Sequence, residues 1–316
     1  MATYQTYTAI GMREDLSDVI YNISPTDTPM ISSIGKTKAT AVLHEWQVDS
    51  LSAPTLSNFA VEGDTASDAT MSPTTRVGNR CQIAQKTVKI SGTLQAVDKA
   101  GRKSEKAYQL AKASSEIKRD METSVLSNQI AANGNSTTAR KLGGLQAWLA
   151  TNGDFGTNGV AGSLGTTARV NGTNRTFTED ILKTVIREVF TSGGNAKVLM
   201  VNPAHKQLVS SFAGIAAQRF MAPSNTPTTI VAAADVYLSD YGSVSVVPNR
   251  MMSSTNSCDE TAFVLDPDMA AIAYLRPFQT NELAVTGDNE STQLLCEYTL
   301  EVKNEAAHGI AADLTP

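Results

Sequence analysis

Histidine is nearly absent from this chain of 316 residues, with only His44, His205 and His308 present. No HExxH or CxxC spacing accompanies them, so a zinc site would have to be assembled from residues far apart in sequence. His205 falls in the first turn of an expected helix, where a satisfied structural histidine is the plainer reading. Cysteine is equally scarce: Cys81, Cys258 and Cys296 are odd in number and widely spaced. They fit reduced thiols packed as small hydrophobes better than a disulfide framework. No stretch approaches the roughly 20 apolar residues of a membrane span. The opening MATYQTYTAIGMREDL lacks a basic start followed by an apolar run, so no signal peptide is expected. Glycosylation patterns at Asn22, Asn135, Asn171, Asn174 and Asn289 then read as chance matches in an Asn/Thr/Ser-rich chain. A GxSxG elbow and a dinucleotide fingerprint are also missing.

Charge is sparse too. Charged residues make up 18% of the chain, whereas threonine alone fills 36 positions, a surface suited to a protein covered by copies of itself. The net charge of −5 argues against a nucleic-acid binder, which gains affinity by neutralising phosphates with Lys and Arg. Hydrophobic content of 41% and this length allow a substantial core and two lobes.

Residues 1–41 read as an irregular arm, with a short helix expected over 15–23 and turns at Pro25 and Pro29. From Val42 the pattern becomes extended. HEWQVDSL alternates as a strand, RCQIAQKTVKIS does so on the return, and a polar, turn-rich tip joins them. Such a hairpin is marginal alone in water and needs a partner surface. Residues 104–131 carry helical spacing at Ala107, Leu110, Ala111, Ile117, Met121, Val125 and Ile130, with Ser104 as N-cap and AANGN as the stop. At 1.5 Å per residue this helix would run about 42 Å. Six glycines between 152 and 174 mark a long loop, and no lysine is present there to serve a phosphate cradle.

Beyond Thr176 helices and strands alternate. Thr176 and Glu179 suggest a capping box, Gly193–Gly194 a helix stop, and Asn202–Pro203 a helix start with proline first. KVLMV, TTIVAA, SVSVVPN, TAFVL, AAIAYL and QLLCEYTLEVKN read as strands. The class is α+β. Asp266 and Asp268 flank Pro267 and could serve as an acid and base, but DPD between apolar strands is ordinary turn chemistry. Trp46 and Trp148 read as anchors of a core or interface.

Charge segregation says more. Residues 45–75 hold five acids and no base, whereas 76–119 hold eleven bases and three acids. Either these are two unrelated solvated faces, or an acidic tip on one copy docks against a basic strut on another, setting register and encounter rate. The second reading names Trp46, Glu62, Asp64 and Asp68 on the loop, and Arg102, Lys103 and Lys106 on the strut, as contacts between subunits.

This order of parts resembles the Hong Kong 97-type capsid fold of tailed-phage major head proteins. The resemblance is carried by EWQVDSL, VEGDTA, NRCQIAQKTVKISGT, AGRKSEKAYQLAKASSEIKRDMETSVL, GGLQAWL, VSVVPNRMM, FVLDPDMAAIAYLRPF and CEYTLEVKNEAAHGI, in that order. It implies an N-terminal arm (1–41), an extended loop (42–95) and a peripheral domain (96–175) with a spine helix at 104–131. An axial domain (176–275) and a return strand to the peripheral domain (276–316) would follow. It further implies a structural protein with no catalytic residues and no cofactor. Copies would form hexamers and pentamers of an icosahedral head around double-stranded DNA, touched only weakly and without sequence preference. Assembly would take place in the host bacterial cytoplasm, with a portal and separate scaffolding or decoration proteins as further partners. An encapsulin-like compartment shell shares the fold, and a hydrolase using Asp266 and Asp268 is the rival from another class.

Overall fold

The computed structural model describes residues 26–65, 68–69, 71–99, 101, 103–212, 235–254 and 257–315. The expected helix over 15–23, the expected strand TTIVAA and Arg102 lie outside the described residues.

Helix α1 (Pro29–Ser33) and strand β1 (Gly35–Lys38) lead into a two-stranded hairpin, β2 (Leu43–Val48) and β3 (Thr75–Arg80). After Cys81 come β4 (Gln82–Ser91), the short α2 (Gly92–Ala96), the long α3 (Glu105–Leu126), α4 (Leu145–Trp148) and β5 (Gly153–Asp154). The second half adds α5 (Glu179–Thr191), β6 (Val198–Val201), α6 (Pro203–Ser210), β7 (Val236–Ser239), β8 (Gly242–Pro248) and β9 (Ala262–Leu265). It closes with β10 (Ala270–Glu282), β11 (Asn289–Val302) and β12 (Gly309–Ala311). A four-stranded sheet runs β1-β10-β11-β4 and a six-stranded sheet runs β5-β12-β9-β6-β8-β7.

The strands at the centre of the larger sheet explain how the layers stack. In β6, Leu199 and Val201 join the cluster under α5, whereas Met200 joins the cluster that holds α3. In β9, Val264 faces the first cluster, and Phe263 and Leu265 face the second. Strands buried on both faces read as continuous apolar runs, as KVLMV and TAFVL do. On β11, Leu294, Cys296, Tyr298, Leu300 and Val302 follow a period of two into the α3 cluster. All three cysteines are buried and free, and burial pushes the Cys81 thiol up to about 11.

Several local expectations change. The return strand of the hairpin divides at Cys81. Thr75–Arg80 pairs with Leu43–Val48, whereas Gln82–Ser91 leaves the hairpin and pairs with β11. Helix α3 starts on the Ser104 cap, whose hydroxyl accepts from Ala107 N, but stops at Leu126, about 33 Å long rather than 42 Å. Residues beyond it are engaged elsewhere. The Asn128 side chain exchanges two hydrogen bonds with the Arg169 backbone, and Ala131 N donates to Gly165 O. The buried face is Ala113, Ile117, Met121 and Val125, with Ala107, Ala111 and Ile130 exposed. The Thr176 capping box does not form, because α5 begins at Glu179 after Thr178, and Glu179 instead accepts from Tyr237 and Lys183. Asn202 caps α6 as expected, its side chain accepting from His205 N. The segment after 276 divides between the sheets: β11 lies beside β4, and β12 enters the six-stranded sheet between β5 and β9.

Candidate assembly surfaces

The root of the 42–95 loop is built to be rigid. Trp46 sits opposite Val77 in the β2–β3 ladder, and its ring stacks on Trp148 with centroids 5.4 Å apart and planes 24° apart. Trp46, expected against a neighbour, is thus engaged within its own chain. Trp148 in turn packs on the glycine-rich loop. A Cβ at Gly165 (φ +73°) would lie 2.8 Å from its indole nitrogen, which is one reason glycine occupies that site.

Asn79 completes the anchor. Fully buried, it donates to Gly143 O and Leu300 O (3.0 and 2.8 Å) and accepts from Gly143 N and Arg80 N (2.7 and 2.8 Å). Every donor and acceptor of its amide is engaged, which is the condition for burying one at low cost. Nothing in its sequence surroundings marks it.

Beyond Val48 the ladder ends. No strand forms among the described residues of 49–74. Leu51, Phe59 and Met71 are 98%, 82% and 90% exposed, and Leu56 and Val61 are exposed beside them. Glu62, Asp64 and Asp68 are exposed in the same stretch. These large apolar side chains are left in water, outside either core cluster. Between the root of the loop and the body lies a cavity of about 430 Å³, walled by Leu51, Pro73, Val77, Trp148, Val302 and Glu305 among others.

The basic side differs from expectation. Lys106 already contacts Glu282 and Glu290 of the β10–β11 hairpin at 3.0 and 3.4 Å, and the Glu282 bond raises its pKa. Lys86 binds Glu116 at 2.7 Å and Asp120 at 3.5 Å. Lys103 is exposed, with no partner among the described residues. Lys106 is therefore balanced inside the subunit by acids that lie late in the sequence, and Lys86 by acids of α3.

The residues considered for chemistry take structural places. Asp266 Oδ1 accepts from Asp268 N at 3.3 Å in a single 3-10 turn, and Lys197 contacts both carboxylates. His44 pairs with Glu301 at 3.2 Å. His205 and His308 are fully buried, and burial holds both below the ordinary imidazole pKa. His308 Nδ1 accepts from Asp266 N, and its Nε2 lies 3.3 Å from Met269 O, a pairing suited to the neutral ring. No group of three metal-ligating side chains, and no helix long and apolar enough to cross a membrane, is found among the described residues.

Sequence reading missed the Arg169–Asp313 pair. Both side chains are fully buried, with Nη1 and Oδ1 at 2.6 Å, and Gly156 N donates to the other carboxylate oxygen at 3.0 Å. A signal did exist: Arg169 is the sole charge between Asp154 and Arg175. A lone charge in a neutral, glycine-rich loop is a candidate for burial against a distant partner.

The family model for the SU10 major capsid protein matches residues 1–315. The chain belongs to that family. A curated relative, the major capsid protein of Escherichia phage Phieco32, is 30% identical over 344 aligned residues, 97% of this chain and 96% of that protein. Among solved structures, the cyanophage A-1(L) capsid asymmetric unit superposes with a TM-score of 0.69 at 12% identity, covering 96% of this chain and 98% of that one. The holo-SrpI encapsulin complex from Synechococcus elongatus PCC 7942 gives 0.55 at 11% identity, covering 99% and 96%. The fold is the Hong Kong 97-type capsid fold, and the chain is a structural shell protein that assembles into a multimeric capsid. At such low identity the two structures speak to fold alone. The family match and the curated relative favour the phage head over the compartment shell.

Proposed function

We propose that this chain is the repeating subunit of an icosahedral phage head, arranged in hexamers and pentamers around double-stranded DNA, and that it performs no catalysis. In this reading the parts are an arm (1–41), an extended loop (42–95), a peripheral domain (96–175), an axial domain (176–275) and a return segment (276–316). The observation that carries the reading is the match of the capsid family model to nearly the whole chain. The exposed apolar and acidic loop on its rigid root supports it, because such a surface requires a partner. A net charge of −5 suits a wall that grips DNA weakly. Assembly belongs to the host bacterial cytoplasm, with a portal and separate scaffolding or decoration proteins as further partners. Electron microscopy of the purified protein tests this directly: closed shells are expected, and a protein that stays monomeric under all conditions would overturn it.

The loop tip is the sharper test. Glu62, Asp64 and Asp68 are to lie near basic groups of another copy, with Lys103 a better candidate than the already paired Lys106 and with Arg102 beside it in sequence. Reversing the three acids to Lys is expected to leave the subunit folded, since exposed loop charges contribute little to stability. Shell yield at low salt should fall by roughly tenfold or more, because a loss of about 1.4 kcal/mol per contact already gives that factor. Salt should restore part of it, since exposed pairs are screened beyond about 8–10 Å near physiological ionic strength. Sedimentation at low and high salt measures both. Normal yield at low salt would remove electrostatic docking from the account.

For the hydrolase alternative, Asp266→Asn with Asp268→Asn should leave shell formation and infectivity within about twofold of wild type, since Asn keeps the turn-forming carbonyl. Normal shells that are uniformly non-infectious would bring a chemical role back.

A further inference from the structure

Glu122 lies near the C-terminal end of α3, where the helix dipole disfavours an acid, and its side chain is fully buried. One carboxylate oxygen accepts from Met30 N at 2.7 Å and from Asn249 Nδ2 at 2.6 Å, and the other accepts from Ile31 N at 2.9 Å. The groups that bear on its ionisation, besides burial, are these three neutral donors, and burial wins, raising its pKa. A buried carboxylate held only by neutral donors is costly and depends on every donor being in place.

Those donors come from opposite sides. Met30 and Ile31 belong to α1, the root of the N-terminal arm. That helix has no cap of its own: the Thr28 side chain makes no capping bond and Pro29 has no N–H. Glu122 takes both amides and caps α1 from a distance of about ninety residues in sequence. Met30, Ile31 and Ile34 are buried in the α3 cluster below it. Asn249 belongs to the six-stranded sheet. It follows β8, its backbone N donates to Val201 O at the end of β6, and its Oδ1 accepts from Met251 N.

We infer that Glu122 is a latch coupling the seating of the N-terminal arm to the packing of the six-stranded sheet on the spine helix, so that loosening either side loosens the other. The physical reason is a shared charge. Without Asn249 Nδ2 the carboxylate is stabilised by two donors instead of three, and an arm-released state in which it reaches water gains population. Release of the arm in turn gives the carboxylate to water and weakens its hold on Asn249. Coupling of this kind is reciprocal by linkage. It makes the arm a handle on the junction of the two sheets, and it stands whether or not the loop-docking reading holds.

Amide hydrogen exchange on full-length protein, read by mass spectrometry, tests this with one variant on each side. Asn249→Ala touches no arm residue, yet should speed exchange at Met30 and Ile31 by about tenfold, a change within the range for losing one hydrogen bond to a buried charge. Ser32→Gly, at an exposed position of α1, loosens that helix without removing a core side chain and should speed exchange at Met251. Glu122→Gln should do both, because its amide sets a donor against a donor. Changes confined to the mutated side in the first two variants would show two independent contacts and overturn the latch. Should Asn249→Ala fail to fold, Ser32→Gly decides the matter alone.

Discussion

Subunits carrying Met121→Asp should be recovered only as insoluble material, and those carrying Ile117→Asp should behave the same way. Both side chains are essentially unexposed, in the cluster that also holds Tyr298, Leu300 and Met30. An aspartate there is a buried charge with no cation to meet it, a cost of several kcal/mol, of the order of a whole domain's stability of about 5–15 kcal/mol. The informative control is Ala107→Asp. Sequence periodicity puts Ala107 on the apolar face, whereas the structure leaves it exposed. It should therefore give soluble subunits with an unfolding midpoint near wild type. Solubility on expression and urea unfolding measure all three. Soluble, assembling Met121→Asp protein would remove this face of α3 from the core, and an insoluble Ala107→Asp would restore the longer face that the sequence suggests.

That contrast locates what sequence reading reaches. The spine helix, the Asn202–Pro203 start, the Gly193–Gly194 stop and the DPD turn rest on residues within four or five positions of each other, and the structure has them. Errors arise where the decision is not local. The partner of a strand is chosen by sheet packing, so QIAQKTVKIS looks like a hairpin return but belongs to β11, 200 residues later. The last turn of α3 is lost to bonds with Asn128 and Ala131, whose partners lie in the glycine-rich loop. Lys106 looks free until the β10–β11 hairpin brings Glu282 and Glu290 to it. The loop itself was legible as a projection needing a partner, because its acids and apolar residues have nothing local to meet. Its anchor Asn79 was hidden, and Trp148, legible as an anchor, did not show its partner Trp46, since a satisfied amide and a stacked indole depend on what folds back onto them.

Arg169→Met should cost the isolated subunit about 3–5 kcal/mol, the usual penalty for leaving one member of a buried ion pair without the other. The pair joins the glycine-rich loop to the C-terminal segment. Asp313 receives Arg169 Nη1 and Gly156 N, its backbone O accepts from Arg175 N at 2.8 Å, and Arg169 Nε donates to Gln146 Oε1 at 3.3 Å. With methionine at 169 the aliphatic volume survives but the Asp313 charge keeps only the Gly156 amide. Adding Asp313→Asn removes that orphaned charge. Asparagine also suits the left-handed backbone there (φ +57°), which leucine or valine would strain. The double variant should therefore be more stable than Arg169→Met alone, a coupling of about 1–3 kcal/mol in a double-mutant cycle. Urea midpoints for wild type, the two single variants and the double close that cycle. If the double variant is as unstable as the sum of the singles, the salt bridge adds nothing, and the loop is held to the C-terminal segment by packing and backbone bonds alone. The composition of the loop favours the charge. With glycines at 153, 156, 159, 162, 165 and 172, the loop has few side chains to bury, and an ion pair in a site sealed from water is the strongest tether left to it.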